Sequence, residues 1–289
     1  MRIPRFWAVA DGSEVGPRGD RIYRRAWGWS TSSMADAFAV AQERLQTTLA
    51  NVRSGVRADS YYPRTPSREP ILDELIVDGE AVIAITRNRY GAEILNTDRV
   101  LIADVDLLDL DKRTGGSLLR RLFGRSKVDA EPQGEPAPVL ERLDAIATWA
   151  ARNPGFGVIV YRTASGLRVF VTGVDEPAAS AVGQQILVDF RADPIYLELC
   201  RAHGTFRARL TPKPWRLPRM KAPRERWPFA DASSERDFDR WHVAYDSASR
   251  NFAVCRRLAS FGPAPSTLEA QILQVHDERT RVSAPLPLA

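Results

Sequence analysis

Cysteine is nearly absent from this 289-residue chain, with Cys200 and Cys255 its only two. Both lie in segments with helical periodicity and without CxxC spacing. That argues against a disulfide framework or a thiolate zinc site and leaves buried free thiols. Histidine is almost as scarce, at His203, His242 and His276. A lone histidine is more often a structural hydrogen-bonder than an acid, base or ligand, and the claims of His242 and His276 are weaker than that of His203. No run approaches the ~20 apolar residues of a bilayer span. The start, MRIPRFWAVADGSE, has no apolar stretch leading to a small-residue cleavage site. A soluble, cytoplasmic protein without membrane partners is therefore expected. There is no internal repeat. Lysine is the last scarcity, supplying four of 41 basic residues, so arginine carries the net charge of +5. Genome composition can produce this bias. Guanidinium also suits bidentate contact with phosphate or carboxylate and stacking on bases, which allows an anionic partner.

The remainder is ordinary globular composition, 44% apolar and 27% charged. After an irregular start, Ser33 stands three residues before Asp36 and opens a helix with Met34, Phe38, Ala41, Leu45 and Leu49 on one face. Residues 59–70 read as loop. The runs AVIAIT, AEILN and VLIADVDLLDL, separated by turn residues, predict adjacent strands of one sheet with the last at its centre. Residues 111–138 turn basic and then proline- and glutamate-rich, the composition of a mobile insertion with a basic helix around LLRRLFGR. A helix follows over 139–152, and FGVIVYRTASGLRVFVTG predicts a hairpin about Ser165-Gly166. Further helices are expected over 177–190 and from Asp193 or Pro194 through Cys200, with a strand in HGTFRARL. After the proline-broken TPKPWRLPRMKAPRERWPFA, an amphipathic helix over 235–258 turns Phe238, Trp241, Tyr245, Phe252 and Cys255 inward, and SAPLPLA reads as a tail. Three regions result: a helical and irregular 1–70, an α+β core over 71–220 and a helical 221–289. The element order predicts a mixed α+β fold with a largely antiparallel sheet and flanking helices, not a doubly wound one.

Three segments carry candidate chemistry. In ADVDLLDLD a strand sets Asp104 and Asp106 on one face, where both carboxylates can hold a divalent cation, and all-oxygen ligation favours Mg2+ or Mn2+. An acid beside apolar VLIA is costly to bury unless metal or arginine compensates it. The plainer alternative is a strand running into an acidic loop that Asp109 and Asp111 continue. In YRTASGLRVFV, Arg162 and Arg168 flank a turn whose Thr163, Ser165 and Gly166 amide offer neutral donors, and glycine leaves room for a phosphate. An ordinary Ser-Gly turn with solvated arginines has the same sequence. In CRAHGTFRARLTPKPWR, Arg207 and Arg209 share a strand face and Lys213 and Arg216 follow. Interleaved with Phe206 and Trp215, they suit a phosphate clamp with a stacking surface, or simply a solvated charged face. Core packing explains WGWS and a turn explains Arg87 to Gly91, although Arg87 and Tyr90 could line the same cleft.

An Asp-x-Asp strand, a helix, and then a strand, Thr-x-Ser-Gly turn and strand together resemble the archaeo-eukaryotic primase superfamily over about 81–216. The resemblance implies a primase-like or RRM-like core and metal-dependent nucleotidyl or phosphoryl transfer on nucleotides or nucleic acid. Asp104 and Asp106 would be catalytic metal ligands. Arg162, Ser165 and Arg168 would hold triphosphate, and Arg207, Arg209, Lys213 and Arg216 the substrate backbone. Two departures stand out: Arg168 or Val169 occupies the place of the expected hairpin histidine, and the third acid has only Asp189 and Asp193 as candidates. The missing histidine favours a binding module of this fold without catalysis. A third reading pairs Asp104 or Asp106 with Arg168 or Arg209 in a structural network. WGWS, RNRYG, YRTASGLR and FRARLTPKPWR also resemble a group of uncharacterised bacterial proteins, which implies a bacterial cytosolic setting and no particular activity.

Overall fold

The computed structural model describes residues 1, 3–56, 65–107 and 134–289. The expected helix around LLRRLFGR, most of the 111–138 insertion, Asp109 and Asp111, and part of the 59–70 loop lie outside these residues.

The chain does not begin irregularly. Strands β1 (Phe6–Val15) and β2 (Arg21–Ser30) form an antiparallel hairpin, and helix α1 (Met34–Arg53) lies on it. Only the half of the hairpin near Trp7 to Ala10 and Ala26 to Gly28 is covered, so the sequence alternates over too short a span to announce a strand. The Ser33 hydroxyl caps α1 by accepting from the Asp36 amide at 3.0 Å. The buried face is rotated from the expected one: Ala37, Ala41 and Leu45 pack inward, while Met34 and Phe38 are 55% and 44% exposed. Gly28 explains the rotation. A Cβ there would stand 2.2 Å from Ala37 O and Ala41 N, so α1 rests directly on the strand backbone and needs small residues at the contact. The glycine of WGWS is a packing residue.

Downstream the order is β3 (Ile71–Val77), β4 (Glu80–Arg87), β5 (Glu93–Thr97), β6 (Leu101–Asp106), α2 (Ala137–Arg152), β7 (Gly157–Thr163), β8 (Gly166–Thr172), α3 (Ala181–Asp189), α4 (Pro194–His203), β9 (Phe206–Arg209), α5 (Ala232–Ser249), β10 (Cys255–Phe261) and α6 (Thr267–Thr280). One sheet runs β3-β4-β5-β9 and another β10-β7-β8-β6, with every strand pair antiparallel. This is the mixed α+β architecture with largely antiparallel sheets that the element order indicated. Both sheets feed one core, in which Ile83 and Leu95 meet Ile102, Val160, Phe170, Ile146, Leu187 and Ile272.

Three expectations are corrected. Strand β6 is not the centre of a sheet with β4 and β5; the chain crosses after β5, and β6 closes the edge of the other sheet. Its apolar run is buried all the same, because α4 covers that edge. The Asp193 amide donates to Asp104 C=O at 3.1 Å and the Tyr196 hydroxyl to Ile102 C=O at 2.6 Å. The same hydroxyl accepts from the Arg207 amide of β9 at 3.3 Å, joining the two sheets where neither pairs with the other. Second, the helix expected over 235–258 ends at Ser249, and Cys255 opens edge strand β10, whose outward-facing arginines hid it. Third, SAPLPLA is not a free tail, since Ala253 and Ala289 exchange backbone hydrogen bonds with Pro287 and Ala253. Cys255, Ile272 and Leu273, from the 221–289 stretch, join the common core. Among the described residues, no helix is long and apolar enough to cross a membrane.

Candidate functional site

The β6–β8 register sets Asp104 opposite Arg168 and Asp106 opposite Gly166, so both acids share one face and Arg168 shares it with them. Arg168 closes on Asp104 in fork geometry, Nε to Oδ1 at 2.8 Å and Nη2 to Oδ2 at 3.4 Å. Its Nη1 donates to Arg209 C=O at 2.8 Å and lies 3.3 Å from His276 Nε2, so all three guanidinium nitrogens are engaged. Arg168 is 1% exposed and the Asp104 side chain 27%. Burial opposes ionisation of Asp104, yet Arg168, aided by Arg209 and Lys213, holds its carboxyl below the usual range. Burial likewise penalises the Arg168 charge, and Asp104 more than restores it. His276 donates from Nδ1 to Asp277 at 2.8 Å; burial and the facing Arg168 push its pKa down to about 4 and keep it neutral.

The hairpin tip differs from a phosphate loop. A Cβ on Gly166 would stand 2.0 Å from Val105 O, so the room glycine leaves is taken by β6. Its amide donates to Thr163 Oγ1 at 3.1 Å, and buried Ser165 accepts from Arg216 Nη2 at 2.8 Å. Arg162 projects from the opposite face and folds over the tip, donating to Gly166 C=O at 2.9 Å, to Thr163 C=O and to Glu135 at 3.1 Å. It does not join the acids.

Arg207 also departs from the expected role. Its Nη2 lies 2.8 Å from both oxygens of buried Glu69, and its Nη1 donates to Asn96 Oδ1 at 2.8 Å. His203, accepting from the Ser67 amide at 3.0 Å, packs against this guanidinium and is held neutral by burial and that charge. These residues form an internal polar cluster and leave Arg207 nothing to offer a substrate.

Arg209, Lys213 and Arg216 do converge on the acids. Burial first, then Arg168 and Arg216, lower the Arg209 pKa to about 10. Burial followed by Arg209 and Arg216 lowers that of Lys213, with Asp106 and Asp104 opposing. Beside them Trp215 is 52% exposed, with the Lys213 ammonium 5.9 Å over its ring and the Tyr90 ring edge-on at 5.2 Å. Phe206, by contrast, is core. Arg87 turns away, its Nη2 3.1 Å from His242 Nε2.

Among the described residues, the donor set around Asp104 is short of carboxylates for a divalent cation. Asp104 is committed to Arg168, the field is that of three cations, and no cluster of three His, Cys, Asp or Glu suited to a metal occurs among the described residues. The candidate third acids are used elsewhere: Asp193 caps α4 through the Ile195 amide at 2.8 Å, and Asp189 accepts from Trp149 Nε1 at 3.1 Å. Sequence reasoning ranked His276 low and missed Glu69. His276 follows Ile272 and Leu273 at helical spacing, a signal that it faces the core. Glu69, in a proline-flanked loop, gave none. No protein-family model, curated protein or solved structure matches this chain. The likeness to primases therefore rests on short motifs alone.

Proposed function

We propose that this protein binds single-stranded nucleic acid, with Arg209, Lys213 and Arg216 facing backbone phosphates and Trp215 stacking a base, and without metal-dependent chemistry at Asp104. The observation that carries the reading is Trp215, half exposed and flanked by a lysine and a tyrosine at the mouth of the cationic cluster. An exposed aromatic beside cations is what a sequence-tolerant strand platform requires, and each stacked base is worth ~1–3 kcal/mol. Against catalysis stands the Asp104–Arg168 pair. A metal ion taking that carboxylate would strand a buried guanidinium at a cost of ~3–5 kcal/mol.

Fluorescence anisotropy of a labelled single strand tests this. Trp215→Ala is expected to weaken binding by ~1–3 kcal/mol. Lys213→Gln should reduce the slope of log K against log salt by about one. Chelator should change nothing. Loss of binding on chelation, together with manganese-dependent nucleotide incorporation that Asp104→Asn abolishes, would replace this reading with nucleotidyl transfer at Asp104 and Asp106. Failure of the wild type to bind any strand at low salt would end both.

A further inference from the structure

The β4–β5 turn has two faces. Asn88 Oδ1 accepts from the Tyr90 and Ala92 amides at 2.9 and 3.1 Å, and Gly91 N donates to Asn88 O at 2.8 Å, so the turn is rigid. On one side it presents Tyr90 to Trp215. On the other, Arg89, whose guanidinium lies 4.6 Å over the Tyr90 ring, lines a cleft of about 210 Å³. That is smaller than the ~300 Å³ at which drug-sized sites begin and suits a single planar group.

The walls of the cleft specify the group. Trp227, Phe229 and Phe238 give it aromatic faces. Deeper, the Arg87 guanidinium lies 5.7 Å over Phe238, and its buried Nε has no hydrogen-bond partner. Its Nη2 lies 3.1 Å from His242 Nε2, which fixes the guanidinium beside Phe238. Exposed Glu235 and Asp239 add carboxylates at the rim, and exposed Arg68 and Arg226 add cations. Burial, then Arg226 and Arg25, lower the Arg68 pKa while its guanidinium, 4.3 Å over the Trp27 ring, keeps its charge beside Arg226. Guanine matches this set: a flat ring to stack, O6 and N7 to accept from a guanidinium, and amino and imino N–H to donate to carboxylate.

We propose that this cleft binds one guanine nucleotide, its base between the aromatic walls against Arg87, its amino edge to Glu235 or Asp239 and its phosphate to Arg68 and Arg226. It extends the strand-binding reading, on which it rests for the source of the nucleotide, since the cleft and Trp215 lie on either side of one turn.

Titrating GMP, AMP, CMP and UMP against the full chain, read by calorimetry, tests the assignment. GMP is expected to bind tightest and UMP at least about tenfold more weakly. Arg87→Gln should cost about tenfold or more in GMP affinity while leaving oligo(dT) binding, carried by Trp215, unchanged. Because Arg87 lies partly in the interior, the surface pair Glu235→Gln and Asp239→Asn provides a second reading and should erase the preference for GMP over UMP. Equal affinity for all four nucleotides, or GMP binding indifferent to every one of these variants, would overturn the cleft assignment. Oligo(dT) affinity unmoved by Trp215→Ala, with GMP still lost in Arg87→Gln, would overturn strand binding and leave the cleft assigned.

Discussion

Replacing Asp104 with asparagine keeps the side chain's volume and removes the charge that faces Arg168. The guanidinium is 1% exposed, and it then faces only neutral acceptors, Arg209 C=O, the His276 ring and one asparagine amide oxygen. Breaking one side of a buried pair costs ~3–5 kcal/mol. Asp104 keeps 27% of its exposure, which lets water reach the vacated charge and argues for the lower end, about 3 kcal/mol. With an m-value of about 3 kcal/mol per molar, the urea midpoint falls by about 1 M, readable from tryptophan fluorescence. Arg168→Met should cost a similar amount, and the double variant distinctly less than the sum, with a coupling of ~1–3 kcal/mol. The folded-state carboxyl is depressed, so the stabilisation is complete above the unfolded pKa of about 3.9 and is lost as pH falls through the lower folded value. The gap between wild type and Asp104→Asn should therefore narrow only in strong acid. A cost under about 0.5 kcal/mol with strict additivity would refute the pairing, because distant, uncoupled sites behave that way.

Two further perturbations follow from the same region. Burial holds the folded His276 pKa at about 4, against about 6.5 for an ordinary histidine, so the unfolded chain takes a proton first. Its contribution is present above about pH 6.5 and lost toward pH 4, about 3 kcal/mol in all, and urea titrations of His276→Gln should show a flatter pH profile over that window. Gly166→Ala forces a methyl group against Val105 O and should cost ~1–3 kcal/mol with loss of the β6–β8 pairing near Asp106; unchanged urea unfolding would show that the strands separate freely.

Residues with strong periodicity announced their elements. The β7–β8 hairpin, the helix ending at Arg152, the short helix capped by Asp193 and strand β9 all stand where their patterns put them. Half-covered or edge elements did not. The first hairpin is apolar at one end only, and β10 carries exposed arginines, so neither alternates as a buried strand does. The convergence of Asp104, Arg168, Arg209, Lys213 and Arg216 was legible because two strand faces and one turn carry them. Which arginines would be consumed internally was not. Arg207 and Arg168 look alike from their neighbours, and their partners Glu69 and His276 lie 138 and 108 residues away in sequence. Long-range pairing of this kind leaves no local trace.

The place where β6 and β9 approach without pairing has a mechanical meaning. Two four-stranded leaves meet along a line held by side chains, the Tyr196 hydroxyl reaching Ile102 and Arg207, and Arg168 reaching Arg209. A backbone ladder resists shear along its whole length, whereas a few side-chain bolts can yield one at a time. Arg209 and Lys213, the cations proposed to face phosphate, hang from this line or just beyond it. A ligand drawing on them would therefore pull on the seam itself, through the Arg168–Arg209 link.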